Sequence, residues 1–443
     1  MLNRERLYAI IDIVLREAQG YDTNVLVQSG TNGLTRFANS EIHQNVFEDA
    51  TDVTITVTEG RKRSQIVTSL YDEAGLAAAT RDAITNLSFL PDGDEQPALV
   101  EEPLEMTAGE LDEELGRQYN AEGRARLVKQ GLDMLDPGYK AYGALSHGVT
   151  QLALGNSRGI KRHALSNEVK CTVLVADEKG GSGYAAAVSD KPDVDIQSIF
   201  QKAYQKAKLN HDPISLEPGA YTVVLEPLAV GDLLTYMSFI GFSGKSVQNQ
   251  ASFLTGKIGE KLFDEKLTIT DDYTNENTVS LPFDFEGTPR TQVALIERGV
   301  AKGVVHDTMS AKKEGVQSTG HSLNQPAFGG IPLNMVVEAG NQSLDEIIKG
   351  TKDGLLVTRF HYMNPVNPRQ AQLTALTRDG FYKIENGEVV AAVKNMRFTE
   401  SMLNALNQIE AISSDRQRTG FFFGNYYVPG MKINGFHFTG KTS

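Results

Sequence analysis

With 443 residues, 40% of them hydrophobic and 22% charged, the chain has room for two or three domains and at least one sizeable core. A net charge of −13 without a basic run argues against direct DNA binding, which needs clustered Lys and Arg to neutralise phosphates. One cysteine, Cys171, excludes an intrachain disulfide, and no stretch approaches the roughly eighteen apolar residues of a membrane span.

Residues Leu2 to Ala18 carry a stripe of Leu7, Ile10, Ile11, Val14 and Leu15, which predicts an amphipathic helix stopped by Gly20. Asp12, Arg16 and Glu17 interrupt any leader-like apolar run, so the expected location is cytoplasmic. Strands are expected at Asn24–Gln28, Leu34–Val46, Asp52–Thr58 and, after a Glu59-Gly60 turn, Arg61–Ser69. A second helix is expected over Asp72–Asn86. Three prolines among six acidic residues mark Leu90–Met106 as a linker.

The same plan then recurs. A helix is expected over Ala121–Leu135, strands at Tyr142–Leu145, Thr150–Arg158, Glu168–Ala176 and Ser182–Val188, and a helix over Asp193–Lys208. The Asn39-Ser40 and Asn156-Ser157 pairs occupy matching places, and Cys171 falls on an apolar strand position. From His211–Gly219 onward strands dominate. Hairpins are expected around Glu297-Arg298-Gly299 and, by its favoured Asn-Gly turn, around Asn386-Gly387. Helices are expected after Ser343 and over Thr399–Ile409, and strands at Leu355–Tyr362, Gln372–Arg378, Gly380–Ile384 and Gly430–Thr439.

The fold class expected is α+β: an N-terminal mixed α/β region built from a repeated helix–antiparallel strands–helix unit, then a β-rich C-terminal domain. The expected divisions are a first αβ unit over 1–90, an acidic Pro-containing linker over 91–120, a second αβ unit over 121–212, and the β-rich domain over 213–443.

One stretch stands out. In Tyr221–Lys257 a β-branched run, Thr222–Leu225, meets Pro227 and then an apolar helix ending at Gly241 and Gly244. Leu233, Tyr236, Met237 and Ile240 share one face. Asp232, Thr235, Tyr236 and Ser238 are its polar side chains.

Chemistry is sparse. The eight histidines, His43, His147, His163, His211, His306, His321, His361 and His437, lie fifteen or more residues apart, so no local zinc motif exists. There is no G-x-S-x-G elbow. Gly244-Lys245-Ser246 resembles the end of a phosphate-binding loop, but Phe239 stands where its first glycine belongs, and it reads as a chance match. Asp271, Asp272, Asp284 and Glu286 read either as an acidic cleft for a hard cation or as solvated loop residues. Phe283–Pro289 reads as a strand feeding a rigid turn. Phe421-Phe422-Phe423 and Tyr426-Tyr427 read as core or interface, with peptide contact as the alternative.

Five stretches carry a resemblance: RFANSEIHQNV from Arg36, EGTP and the following ERG turn from Glu286 to Gly299, GLLVTRFHYMNPVNPR from Gly354, LTRDGFYKIENGEVVAAVKNMRFTES from Leu376, and INGFHFTGKTS from Ile433. Together they resemble the TldD/PmbA family, also called TldD/TldE or modulator of DNA gyrase, nearly end to end. The resemblance implies a dimer enclosing a proteolytic chamber. In the TldD kind it implies zinc held by HExxxH on the helix after the VVL strand and by a C-terminal cysteine. On that pattern Thr235 stands at the first His, Tyr236 at the Glu and Ile240 at the second His, and the cysteine has no counterpart.

The chain is thus similar to the PmbA/TldE kind. That implies no catalytic, cofactor-binding or metal residue of its own and zinc in a TldD-type partner. The partner is that chain or a second copy, the substrate is a peptide or unfolded protein, and neither nucleic acid nor membrane is bound directly. Two other readings stay open. One is a metal-dependent hydrolase with a dispersed site such as His306, His321, Asp284 and Glu286. The other is a regulator of DNA gyrase acting by protein contact.

Overall fold

The computed structural model describes residues 1–441 apart from 95, 102–105, 193, 280 and 422–423. Pro103, Asp193, Phe422 and Phe423 therefore lie outside the described residues. The chain folds as α+β around two sheets, each laid down by alternating apolar residues that demand cover.

The N-terminal half runs α1 (Arg4–Glu17), β1 (Asp22–Ala38), β2 (Glu41–Glu59), β3 (Lys62–Thr68), α2 (Glu73–Leu87), β4 (Met106–Ala108), α3 (Glu113–Gln118), α4 (Ala121–Leu132), β5 (Tyr139–Asn156), β6 (Lys161–Asp177), β7 (Ser182–Ser189) and α5 (Ile196–Leu209). Its sheet order is β3-β2-β1-β5-β6, with β7 and β4 both along the far edge of β6. Helix, long hairpin, third strand, helix occurs twice, and the copies meet where β1 pairs antiparallel with β5. The pleat sorts the strands' residues. Val25, Val27, Val53 and Ile55 face α1 and α2, whereas Leu26, Leu152 and Leu154 pack on Leu281 and Phe283 of the C-terminal half. Cys171 is buried among the apolar residues under α4 and α5, and burial pushes its thiol up to about 12.

The C-terminal half contributes β8 (Gly219–Leu225), α6 (Pro227–Ile240), α7 (Gly244–Gln248), β9 (Ile269–Asp271), β10 (Val293–Glu297), β11 (Val300–Ala301), α8 (Thr308–Glu314), β12 (Met335–Val337), α9 (Leu344–Lys349), β13 (Asp353–Asn367), β14 (Gln372–Glu385), β15 (Glu388–Ala392), β16 (Met396–Ser401), β17 (Ile409–Phe421) and β18 (Gly424–Lys441). Here β8, β13, β14, β16 and β18 pair in a closed ring: β8 lies parallel to β13 and antiparallel to β18. Val223 and Leu225 point to one core and Val224 to another, so the β-branched run is buried on both faces. Pro227 sits at the first turn of α6, where its missing N–H is harmless, and the Glu226 N–H donates instead to the Val357 carbonyl at 2.9 Å.

Several elements differ from expectation. Leu34–Val46 is not one strand. Asn39 and Ser40 both adopt positive φ, 51° and 61°, and close a two-residue hairpin turn between β1 and β2. Asn24–Gln28 and Leu34–Ala38 are instead one strand, as are Tyr142–Leu145 and Thr150–Asn156. Gln372–Arg378 and Gly380–Ile384 likewise form one strand, because a neighbour's ladder on each edge carries the backbone through. Thr399 does not cap a helix. It lies in β16 opposite Thr374, and Phe398 beside it is buried inside the ring. Asn386 and Gly387 do form the expected left-handed turn, and Ser343 makes a full capping box with Glu346.

Arg124 of α4 ties the second unit to the first hairpin. Its guanidinium donates to Thr35 Oγ1 at 3.1 Å, the Tyr119 carbonyl at 2.7 Å, Asn45 Oδ1 at 3.1 Å and the Val46 carbonyl at 3.2 Å. Gly33 makes room: a Cβ there would sit 2.2 Å from Arg124 Nη1. Replacing Arg124 by Ala removes those four hydrogen bonds, although Asn45 Oδ1 keeps the Thr35 hydroxyl. Arg124→Ala is expected to lower unfolding free energy by about 2–4 kcal/mol in urea titrations. Amide protection should fall first across residues 31–49.

Candidate functional site

The helix α6 is buried almost all round, because β13, β17 and β18 pack on it. Its expected apolar face is only partly right. Leu233, Met237 and Ile240 are in the core, but Tyr236 is half-buried and turns toward a cavity together with Asp232, one turn earlier. That cavity, about 230 Å³, is walled by β6 and β7 on one side, by α6, and by β13 and β17. Gly231 lets β17 approach the helix: a Cβ there would lie 2.4 Å from Thr419 Oγ1.

Asp232 is the helix's one acidic side chain, and its Oδ2 accepts the Phe360 N–H at 2.9 Å. Burial pushes its carboxyl up to about 7, against the opposing pull of that N–H and of Arg359. Burial, and then the Asp232 charge, push the Tyr236 phenol up as well. Arg359 lies 4.0 Å from the centre of the Tyr184 ring and donates from Nε to Asp379 Oδ2 at 3.0 Å. Asp379 also receives Ser182 Oγ at 2.8 Å and holds a positive φ of 55°. Arg418 pairs with Asp190 at 3.2 Å. Burial, helped by Arg378 and Arg359, lowers His361 below the ordinary imidazole value.

Of the positions at which the resemblance places a zinc site, Thr235 and Tyr236 line this cavity and Ile240 packs in the core. Thr235 Oγ1 donates to the Gly231 carbonyl at 2.8 Å, the usual bond of a helical threonine. Zinc takes imidazole nitrogen, thiolate or carboxylate, and this set offers a hydroxyl, a phenol of raised pKa and an aliphatic chain. The set does not fit zinc.

The dispersed residues sit apart from this cavity. Asp271 and Asp284 are fully buried, so the solvated-loop reading fails for both. Asp284 accepts the N–H groups of Glu286 at 3.0 Å and of Thr288 and Ser322 at 2.9 Å each, which makes it the organiser of the Phe283–Pro289 turn. Burial and the adjacent Glu286 push Asp284 upward. Glu286 accepts Thr308 Oγ1 at 2.6 Å beside His306, whose Nδ1 meets Ser310 Oγ at 3.2 Å. His321 Nε2 lies 2.9 Å from Asp271 Oδ1; burial raises that carboxyl, but His321, Arg290 and the Asn334 N–H outweigh it and hold it low. The polar atoms of these residues engage backbone groups and neighbouring hydroxyls, and His321 engages Asp271. Among the described residues, no three His, Cys, Asp or Glu side chains group as metal ligands would. The GKS match is structural too: Lys245 Nζ donates to the Pro326 carbonyl.

Arg359 and His361 lie inside a stretch that carries the resemblance, whereas no local pattern marks Lys170, Tyr184 and Arg418. Their elements are far apart in sequence and no local spacing joins them.

Above its unfolded value of about 3.9, the Asp232 carboxyl holds a proton that the unfolded chain releases. Its contribution to stability is therefore complete at low pH and declines as pH rises from about 4 through about 7. Asp232→Asn removes that decline. The variant's urea midpoint is expected to drop less than the parent's between pH 5 and pH 8, and equal drops would refute the assignment.

Residues 218–440 match the PmbA/TldA metallopeptidase C-terminal domain. The chain is 29% identical over 268 residues to a Metalloprotease TldD homolog of Buchnera aphidicola subsp. Acyrthosiphon pisum, covering 56% of this chain and 55% of that one. It is 25% identical over 292 residues to a Metalloprotease PmbA homolog of Haemophilus influenzae, covering 63% and 62%. The matched stretch thus spans about half the length of the TldD relative. The fold matches a crystal structure of TldE from Thermococcus kodakarensis with a TM-score of 0.86 at 19% identity, covering 98% of this chain and all of that one. It also matches a candidate modulator of DNA gyrase from Bacteroides thetaiotaomicron, with a TM-score of 0.83 at 20% identity and coverage of 99% and 100%. The relatives are named metalloproteases, and the chain belongs to the TldD/PmbA metallopeptidase family.

Proposed function

We propose that this chain is the PmbA/TldE-like, non-catalytic subunit of a heteromeric zinc metallopeptidase that processes unfolded or short peptides. The observation that carries this reading is the donor chemistry of α6. The strand, the Pro227 turn and the buried helix are present, and Thr235, Tyr236 and Ile240 are the residues at which the resemblance puts HExxxH. Those three side chains cannot hold a Lewis-acid metal, and Tyr236, whose phenol burial pushes upward, is a poor general base near neutral pH. Zinc would belong to a TldD-type partner.

The chain's own contribution is shape. The cavity beside α6 and the strand edges around it form a wall against which an extended peptide can lie. Pairing by main-chain hydrogen bonds would make its handling of sequence broad. The same wall would complete a chamber only when a second subunit faces it, so the reading requires an oligomer.

The test is cleavage of an unfolded reporter peptide by the purified chain alone, by a TldD-type partner alone, and by both, with and without zinc. Turnover is expected only where the partner and zinc are present, and it should rise when this chain is added. Robust zinc-dependent cleavage by this chain alone overturns the reading.

A further inference from the structure

Two hydrogen-bond donors of the residues lining the cavity beside α6 engage no described residue. Lys170, on β6 directly across from Val188, lines the cavity, and its ammonium makes no hydrogen bond or ion pair with any described residue. The Tyr236 hydroxyl is likewise without a hydrogen-bond partner among the described residues. The other cations of the lining differ, since Arg359 and Arg418 each have a carboxylate of their own. Lys170 is half-buried, and the lining sets apolar walls as well as the Asp232 carboxyl about it. Those walls are Ala186, Val188, Leu228, Phe360 and Met363. At about 230 Å³ the space lies below the roughly 300–1,000 Å³ of drug-sized pockets and suits one amino-acid residue.

The mouth is also marked. Tyr362, 70% exposed, holds a φ of 50°, a left-handed conformation that bulky residues avoid and that clusters at ligand clamps. The β13–β14 ladder slips register between His361 and Asn364, which presents that ring outward at the entrance.

The geometry points to a subsite for the C-terminal residue of a peptide: the free α-carboxylate is held by Lys170 and Tyr236, and an apolar side chain fills the cavity. This assignment rests on the peptide-handling reading above. It supplies that reading with a substrate class, peptides ending in a free, apolar C-terminal residue.

Calorimetric titration of the purified chain with acetyl-Ala-Leu, as the free acid and as the C-terminal amide, tests it. The acid is expected to bind at least tenfold more tightly than the amide. Lys170→Met is expected to weaken the acid at least tenfold, and Ala186→Phe, which fills the cavity, to abolish binding. Lys349→Met, a surface control on α9, is expected to change nothing, with folding of each variant checked by circular dichroism. Equal binding of acid and amide, no binding of the acid, or a loss in Lys349→Met matching that in Lys170→Met each overturns the proposal. Association with a TldD-type partner is measured separately by gel filtration. Lost peptide binding with association intact rejects the subsite alone, whereas lost association with binding intact rejects the subunit reading alone.

Discussion

The C-terminal half depends on one constraint: five strands whose hydrogen bonds close on themselves. A closed ring leaves no free edge on those strands, but it requires an interior filled to close-packed density. Aromatic side chains meet that requirement. Phe360 packs edge-on to Phe398 with ring centres 4.9 Å apart, and Phe436 lies 5.1 Å from Phe398 and 5.5 Å from Phe438. The placement of β8 between β13 and β18 then dictates the path of α6. The chain leaves β8 at Leu225, turns at Pro227, and has only the side toward β13, β17 and β18 on which to bury its helix.

Electrostatics around that helix follow from the packing. The cavity gathers cations from three different strands; Asp379 and Asp190 neutralise two of them, while Lys170 has no carboxylate partner among the described residues. Asp232 is retained beneath them with a backbone N–H on one oxygen, and burial favours its neutral form. The second polar cluster is built differently. Asp271, His321, Asp284 and Arg290 are deeply buried, yet their carboxylates are engaged by backbone N–H groups and imidazole rather than turned to an open space. One cluster shapes loops; the other borders a cavity. The Arg290 guanidinium, buried beside those carboxylates, has no hydrogen-bond partner among the described residues, so burial and charge alone do not separate the two clusters.

The sequence made local chemistry legible. The Asn386-Gly387 turn, the Ser343 capping box, the strand-to-helix turn at Pro227 and the doubled helix–hairpin–helix plan are all written within short stretches. Asn39-Ser40 was legible as a matching pair but not as a turn, because Ser carries a weak preference for positive φ. Ring closure was not legible, since Leu225 finds Met431 only through tertiary structure. Nor was the cavity, whose lining comes from β6, β7, α6, β13 and β17. The burial of Asp271 and Asp284 was hidden for a related reason: an acidic residue in a loop looks solvated until its backbone partners are known.

The β8–β18 seam has a consequence for biogenesis. Leu225 and Val224 pair with Met431 and Lys432, so the earliest strand of this half is zipped against the latest. During synthesis β8 and α6 emerge long before β18 and must wait with apolar faces uncovered. The closing contacts are among the most distant in sequence that the half contains, and such contacts slow folding because loop entropy is surrendered before they form. The half thus matures late and all at once, and a ribosome stalled before residue 424 holds an open, adhesive sheet with no finished wall beside α6.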